Sequence, residues 1–282
     1  MRRQSVVHCA CRVALVLALV LSFGEIAQAG PIRPLYLSTG SQVQVLVGSS
    51  IVDSWTTGDQ EFSIAVNTTV KTWSQGAPAL SLLGREYELD GTPTGATYLN
   101  GVGCCFRDGT TDGQFNYAVR QAAGGNLVYR FDLDWTNPQV MTFFPSGIAN
   151  IVTGITYDSS DDTFWLSTSG GFFTVLHTSR TGNLISSFSG GAGDNTSIAY
   201  DAADDTVWIY SFVAFSSELI HFAALDTTSA NFPLSREPGI GSVWGIEFQL
   251  AQSPAAVSAP ATIALLGLGL AGLGWRRPVT DQ

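Results

Sequence analysis

From Leu35 to Leu250 the chain is a succession of short apolar runs separated by clusters of Gly, Asp, Ser and Thr, a rhythm that predicts β-strands joined by tight turns. One set opens the series: Leu35–Thr39, Val43–Val47 and Ile51–Trp55. A looser set follows at Asn116–Val119, Leu127–Asp132 and Val140–Phe143, and a third at Phe164–Thr168, Phe173–Leu176 and Leu184–Phe188. Five further stretches have the character of a first strand: Ser63–Val66, Gly95–Tyr98, Gly154–Tyr157, Ser197–Tyr200 and Gly245–Phe248.

The sets are copies of one unit. Gly154–Leu166 aligns with Ser197–Ile209 without a gap at an offset of 43 residues, and both carry the same order: apolar strand, Asp-rich turn, second strand with a Trp. That offset lies in the roughly 40–45 residue range of a four-stranded propeller blade. The first strands are spaced 32, 59, 43 and 48 residues apart, so insertions in surface loops vary the unit. The set at Leu35–Trp55 lacks a first strand, while the last first strand, Trp244–Leu250, lacks everything after it. Pairing the two completes a unit and removes both open edges. An all-β propeller of five blades with N- and C-terminal strands closing the ring is the expectation. Six blades follow if Thr69–Asp90 hides an irregular unit, and a two-sheet sandwich is the alternative that needs similar strands but no in-phase repeat.

Composition agrees with this reading. The 282 residues are 45% hydrophobic, 11% aromatic and 13% charged, with 30 Gly, 11 Pro and 2 Met, which excludes disorder over most of the chain as well as collagen, coiled-coil and polytopic membrane architectures. Net charge is −10 and Lys71 is the sole lysine, so there is little to build a phosphate-binding surface from, and nucleic acid is excluded as a partner. Residues 30–250 hold eight basic residues against 21 acids, a formal charge of −13. Such a surface keeps an exported protein soluble and favours cations or neutral sugars over polyanions.

The two ends differ from the middle. Arg2, Arg3 and Arg12, the apolar Val13–Phe23 and the small-x-small step Ala27-Gln28-Ala29 before Gly30 form a secretory signal, which puts the mature start at Gly30. Near the other end, a small-residue linker at 251–259 leads to Pro260, Ala261 and Thr262, the apolar run Ala261–Trp275, and Arg276-Arg277. Trp275 and the two arginines are the interfacial and cytoplasmic anchors of a short membrane segment. This tail resembles the PEP-CTERM sorting domain of exopolysaccharide-producing Gram-negative bacteria, with Ser258 and Ala259 standing where that family has Pro and Glu. The resemblance covers about the last 25 residues and implies recognition by an exosortase, a transient inner-membrane anchor, and a destination in the cell envelope or outside it. The expected organisation is a signal peptide at 1–29, a propeller at 30–250, a linker at 251–259 and a sorting segment at 260–282.

Few constellations carry chemistry. Cys9 and Cys11 leave with the signal, so Cys104 and Cys105 remain, to form a vicinal bridge, to stay as thiols or to link chains. Asp108, Thr110 and Asp112 offer oxygens at alternate positions, a loose calcium candidate in competition with an ordinary Asp/Gly turn. Val119 at the twelfth position excludes an EF-hand. Asp161-Asp162 and Asp204-Asp205 recur at equivalent repeat positions, as turn residues do, and His177 and His221 sit among apolar strand residues as structural histidines do. There is no Gly-x-Ser-x-Gly elbow, phosphate-binding loop or His-Glu-x-x-His, and no cofactor motif. The expected function is a non-enzymatic binding or structural module at the surface or in the matrix, with a carbohydrate or another surface protein as partner. The competing class is a secreted propeller enzyme acting on a glycan or lactone, for which polar groups converging at the propeller axis would speak.

Overall fold

The computed structural model describes residues 31, 33–48, 50–74, 83–99, 102, 105–122, 125–141, 151–170, 172–192, 194–213, 216–223, 229–233 and 243–250. The chain divides into a unit of residues 1–250 and a second of 251–282, and the whole of the second lies outside the described residues. Every regular element described is a strand, and none of the described residues forms a helix long and apolar enough to cross a membrane.

In chain order the strands are β1 (Leu35–Ser38), β2 (Gly40–Val47), β3 (Ser50–Val66), β4 (Val70–Ser74), β5 (Leu83–Tyr87), β6 (Pro93–Leu99), β7 (Phe106–Thr111), β8 (Phe115–Ala122), β9 (Gly125–Asp132) and β10 (Gln139–Met141). They continue with β11 (Ile151–Asp158), β12 (Thr163–Ser169), β13 (Phe172–Ser179), β14 (Leu184–Ala192), β15 (Asp194–Asp201), β16 (Thr206–Val213), β17 (Ser216–Ala223), β18 (Ser229–Pro233) and β19 (Gly245–Phe248).

Three sheets are simple four-stranded meanders: β7 to β10, β11 to β14 and β15 to β18. The remaining strands form one continuous run in the order β19-β1-β2-β3-β4-β5-β6. The 17-residue β3 belongs to two sheets at once. Its first half pairs with β2 (Val43 opposite Trp55) and its second half with β4 (Ile64 opposite Thr72). Divided there, the described strands make five four-stranded units, each led by an inner strand: β19, β3, β7, β11 and β15. These five neighbour one another in succession around a closed circuit. The propeller is closed by β19 lying antiparallel to β1, with Leu35 opposite Phe248 and Leu37 opposite Ile246, as the complementary gaps at the two ends of the repeat imply.

Successive side chains of a strand point to opposite faces, so each sheet presents an apolar face to the neighbour on either side. Five buried clusters fill the five gaps. Trp165, Phe173 and Val175 meet Ile198, Tyr200 and Val207, and Trp208 meets Leu35, Leu37 and Phe248 across the closing gap. Both repeated tryptophans thus pack between sheets, at 1% and 2% exposure. The other three gaps are filled around Phe164, Trp73 and Ile64. The Asp pairs sit in the turns, with Asp162 at φ 61 and Asp205 at φ 56, a left-handed conformation that short polar side chains tolerate.

Two readings are corrected. Gly95–Tyr98 is not a first strand but part of β6, the outermost strand of its sheet, and residues 69–90 supply β4 and β5 of that same sheet. The inner strand that follows is β7, whose Phe-Arg-Asp-Gly-Thr-Thr hides its strand character because its polar residues face inward rather than to solvent.

Candidate functional site

The inner strands leave one edge of backbone groups without a strand partner, all directed at the propeller axis. A buried N–H with no acceptor costs about 1–3 kcal/mol, so something on the axis must accept. Side chains do it. Asp108, fully buried on β7, accepts from Gly109 N (3.0 Å) and Ile246 N (3.2 Å) on Oδ1 and from Ile198 N (2.9 Å) and Ile155 N (3.3 Å) on Oδ2. One carboxylate therefore ties its own strand to β11, β15 and β19. A layer further along, Tyr157 N donates to Thr110 Oγ1 (3.0 Å) and Tyr200 N to Thr156 Oγ1 (3.1 Å), and both hydroxyls engage Glu247, with Thr156 Oγ1 3.1 Å from Oε1 and 3.4 Å from Oε2.

The local sequence makes room for this. Four inner strands break register with their neighbour just before the axial positions: Glu61/Ser63, Phe106/Gly109, Val152/Gly154 and Asn195/Ser197. Such bulges re-aim the following side chains. The break in β7 is the widest, taking Arg107 and Asp108 out of the ladder with β8. Gly245 is a close approach: a Cβ there would stand 3.2 Å from Asp108 Oδ1 and collide with the carbonyl of Phe62.

Burial pushes both acids well above the usual carboxylate range, and they share the axis. The N–H donors from Ile198, Gly109 and Ile155 pull Asp108 back down while Glu247 raises it, and the Thr110 and Thr156 hydroxyls and the Phe248 N–H pull Glu247 down. Chemically this is a pair of dry carboxyl groups with every described partner drawn from the fold itself.

The segment at Asp108, Thr110 and Asp112, a calcium candidate or turn by sequence, is divided between a strand and a turn. Asp108 and Thr110 lie on a strand and are committed to backbone donors, and only Asp112 sits in the β7–β8 turn. There it caps the turn by accepting from Gln114 N and Phe115 N, takes the Tyr117 hydroxyl (2.7 Å), and pairs with Arg180. Arg180 also bonds Asp162 (2.7 Å) and lies over the Tyr117 and Tyr157 rings, clasping the β11–β14 sheet to the β7–β10 sheet. Burial followed by Asp112 pushes the Tyr117 hydroxyl up.

A second polar group surrounds His177. Asp158, Asp161 and His177 present ligand atoms within 4.8 Å of one another, the spacing of a metal site. Their hydrogen bonds point to a turn lock instead. Trp165 Nε1 and Ser160 donate to Asp158, Thr163 donates to Asp161, and His177 Nε2 lies 2.6 Å from that Thr163 oxygen, so all three side chains are engaged in holding the turn. The imidazole stacks on Trp165 at 4.0 Å between centroids. The next unit repeats the framework with Asp201, Asp204, Thr206 and Trp208, and Trp208 lies opposite His221 in the ladder, as Trp165 lies opposite His177. There Asp201 is paired with Arg33 at 3.1 Å.

Cys105 is disulfide-bonded and stands at φ 80, three residues before Asp108. Cys104, the signal residues Ala27, Ala29 and Gly30, and the sorting residues Pro260, Ala261, Thr262, Trp275, Arg276 and Arg277 lie outside the described residues. Sequence reasoning missed the axial roles of Asp108 and Glu247, although the small residues Gly154, Ser197 and Gly245 at matching repeat positions mark a layer that a larger side chain must fill.

In comparison with known proteins, residues 256–277 match the PEP-CTERM protein-sorting motif. No curated protein matches the chain. Among solved structures, a chain of a nidogen/laminin complex is similar over 78% of this chain and 99% of its own, at 11% identity and a TM-score of 0.51. The Cps50 (Swd1) β-propeller domain of Myceliophteria thermophila covers 72% of this chain and 71% of its own, at 13% identity and a TM-score of 0.42. The chain is a β-propeller followed by a PEP-CTERM sorting motif, the mark of an exported protein directed to exosortase processing.

Proposed function

We propose that the protein is a non-enzymatic binding or structural module of the cell envelope or extracellular matrix, held at the inner membrane by its C-terminal segment until an exosortase processes it. Its partner is a carbohydrate or another surface protein. The observation that carries this reading is the state of the axis. Three polar side chains and more do converge there, the arrangement an enzyme acting on a glycan or lactone would need. Asp108 and Glu247 are, however, 0% and 5% exposed, and their oxygens are occupied by backbone N–H and threonine hydroxyl groups. Groups spent on holding the inner strands together offer a substrate neither access nor a spare donor. The likeness to a chain solved in a nidogen/laminin complex supports the same reading as a precedent for a propeller in a protein assembly.

The test has two arms. Purified protein is assayed for turnover on a panel of polysaccharides and lactones, and the chain with and without residues 256–282 is localised by fractionation. Absence of turnover, with release of the shortened chain to the medium, is expected. Turnover that disappears in Glu247→Gln, or envelope retention unchanged by the deletion, overturns the proposal.

A further inference from the structure

The axis holds two carboxyl groups and, among the described residues, no cation to balance them. None of the ion pairs among those residues includes Asp108 or Glu247: Arg33 is paired with Asp201, Lys71 with Glu86, Arg85 with Glu61, and Arg180 with Asp112 and Asp162. Two like charges in a dry, shared site cannot both be held, so one of the pair keeps its proton. The hydrogen bonds say which. Asp108 receives only N–H donors, four of them, and each favours the anion. Glu247 accepts a single N–H, from Phe248, and otherwise faces hydroxyls, and a hydroxyl that has accepted one N–H keeps a lone pair with which to accept the O–H of a neutral acid. Thr156 Oγ1, within 3.4 Å of both Glu247 oxygens, can donate to one and accept from the other.

We propose that Glu247 is held on the propeller axis as a neutral carboxylic acid, and that its ionisation is the switch that unlatches the closing strand β19. The strand is short, and beyond its ladder with β1 its grip on the rest of the ring is concentrated in few contacts. Trp244 stacks on Phe62 (4.5 Å between centroids) beneath Arg107, Ile246 N reaches Asp108, Glu247 reaches Thr110 and Thr156, and Leu250 N bonds Val66 O. An anion at Glu247 would face the Asp108 carboxylate and drive the strand outward, opening the ring at the one place where it is closed by strands distant in sequence.

The other buried or half-buried ionisable side chains described on the elements around β19 are engaged elsewhere. On β1, Tyr36 packs in the gap between the first two units. On β3, Glu61 is bonded by Arg85. On β7, Arg107 lies over Trp244. On β15, Tyr200 bonds Asp205 and Asp201 bonds Arg33, and on β11, Tyr157 bonds Asp162 and Asp158 bonds Trp165. Asp108 alone among them faces Glu247. A group whose proton is held more tightly in the fold than in the open chain contributes stability that is full below its unfolded value and lost as pH rises through the folded one.

The experiment compares thermal melts of the full exported protein and of Glu247→Gln from mildly acidic to alkaline pH at fixed ionic strength. In the wild type the folding equilibrium constant should fall by up to about tenfold per pH unit between the ordinary glutamate value of the unfolded chain and the raised value of the folded one, the signature of one proton. Glu247→Gln, the nearest isostere of a neutral acid, should remove that slope and match the wild type at low pH. Infrared spectra at neutral pH supply a second readout, a protonated-carboxyl band present in the wild type and absent from Glu247→Gln. Equal slopes in the two proteins, a wild-type stability that rises with pH, or the absence of that band overturns the proposal.

Discussion

Replacing Asp108 by Ala or Asn should damage the whole ring, because its carboxylate is the acceptor for four backbone N–H groups on four inner strands. In Asp108→Ala all four are left in a site that is fully buried, and at about 1–3 kcal/mol per orphaned donor the loss is about 4 kcal/mol at the lower end. Deleting the acid also removes its own desolvation cost, so the lower end is the expected value. Asp108→Asn is the sharper perturbation. It keeps volume and shape, yet its amide nitrogen faces donors where an oxygen stood, so about half the donors lose their acceptor and a loss of about 2–4 kcal/mol follows. Against a typical domain stability of about 5–15 kcal/mol either change is severe. Denaturant unfolding followed by tryptophan fluorescence reads it, since Trp165 and Trp208 sit between sheets. An Asp108→Asn protein within about 1 kcal/mol of the wild type at an unchanged denaturant slope would refute the reasoning, because the carboxylate would then not be holding the inner strands.

Trp165→Ala and Trp208→Ala should each cost about 3–5 kcal/mol by the same assay, since both side chains are nearly fully buried between neighbouring sheets. Burial raises Glu86, but the Thr69 and Tyr98 hydroxyls and Lys71 outweigh it and hold the carboxyl below its ordinary range. Its contribution to stability is therefore present at neutral pH and lost as pH falls through that lowered value, and Lys71→Met should flatten the acid limb of the pH–stability curve. The Cys105 disulfide is expected to close on Cys104, so a single proteolytic peptide should carry both residues and gain two alkylation adducts only after reduction, whereas a peptide linked to any other cysteine would contradict the vicinal pairing.

Much of the architecture is legible because the physical requirements are local and repeated. The gap between sheets needs a large apolar residue at the same place in each unit, which gives Trp165 and Trp208 their offset of 43. The turn before it needs a residue tolerant of positive φ, which gives Asp162 and Asp205 theirs. The closing strand is legible as a unit missing at one end and left over at the other. The axis is not legible in this way. Alternation assigns polar residues to solvent, but on an inner strand the alternate positions face four other inner strands whose unpaired N–H groups need acceptors. Asp108 and Gly109 therefore look like a turn while serving as strand residues. Glu247 stands inside a strand that the sequence does predict. Its environment is assembled from Thr110 and Thr156, more than 90 residues away, and no local pattern encodes that meeting.

The central claim is that the propeller is one ring locked by its final strand. Two truncations test it most directly, one ending at Ser253 and one ending at Val243, which removes Trp244 to Leu250. The first keeps the ladder between β1 and β19, the Trp244 stack on Phe62 and the Ile246 bond to Asp108, and the second loses all three. Burying Ile246 and Phe248 alone is worth about 1.5–3 kcal/mol each. The chain ending at Ser253 should melt as the exported protein does, and the shorter one should unfold at a markedly lower midpoint across all its sheets together. Equal midpoints for the two truncations would contradict the ring.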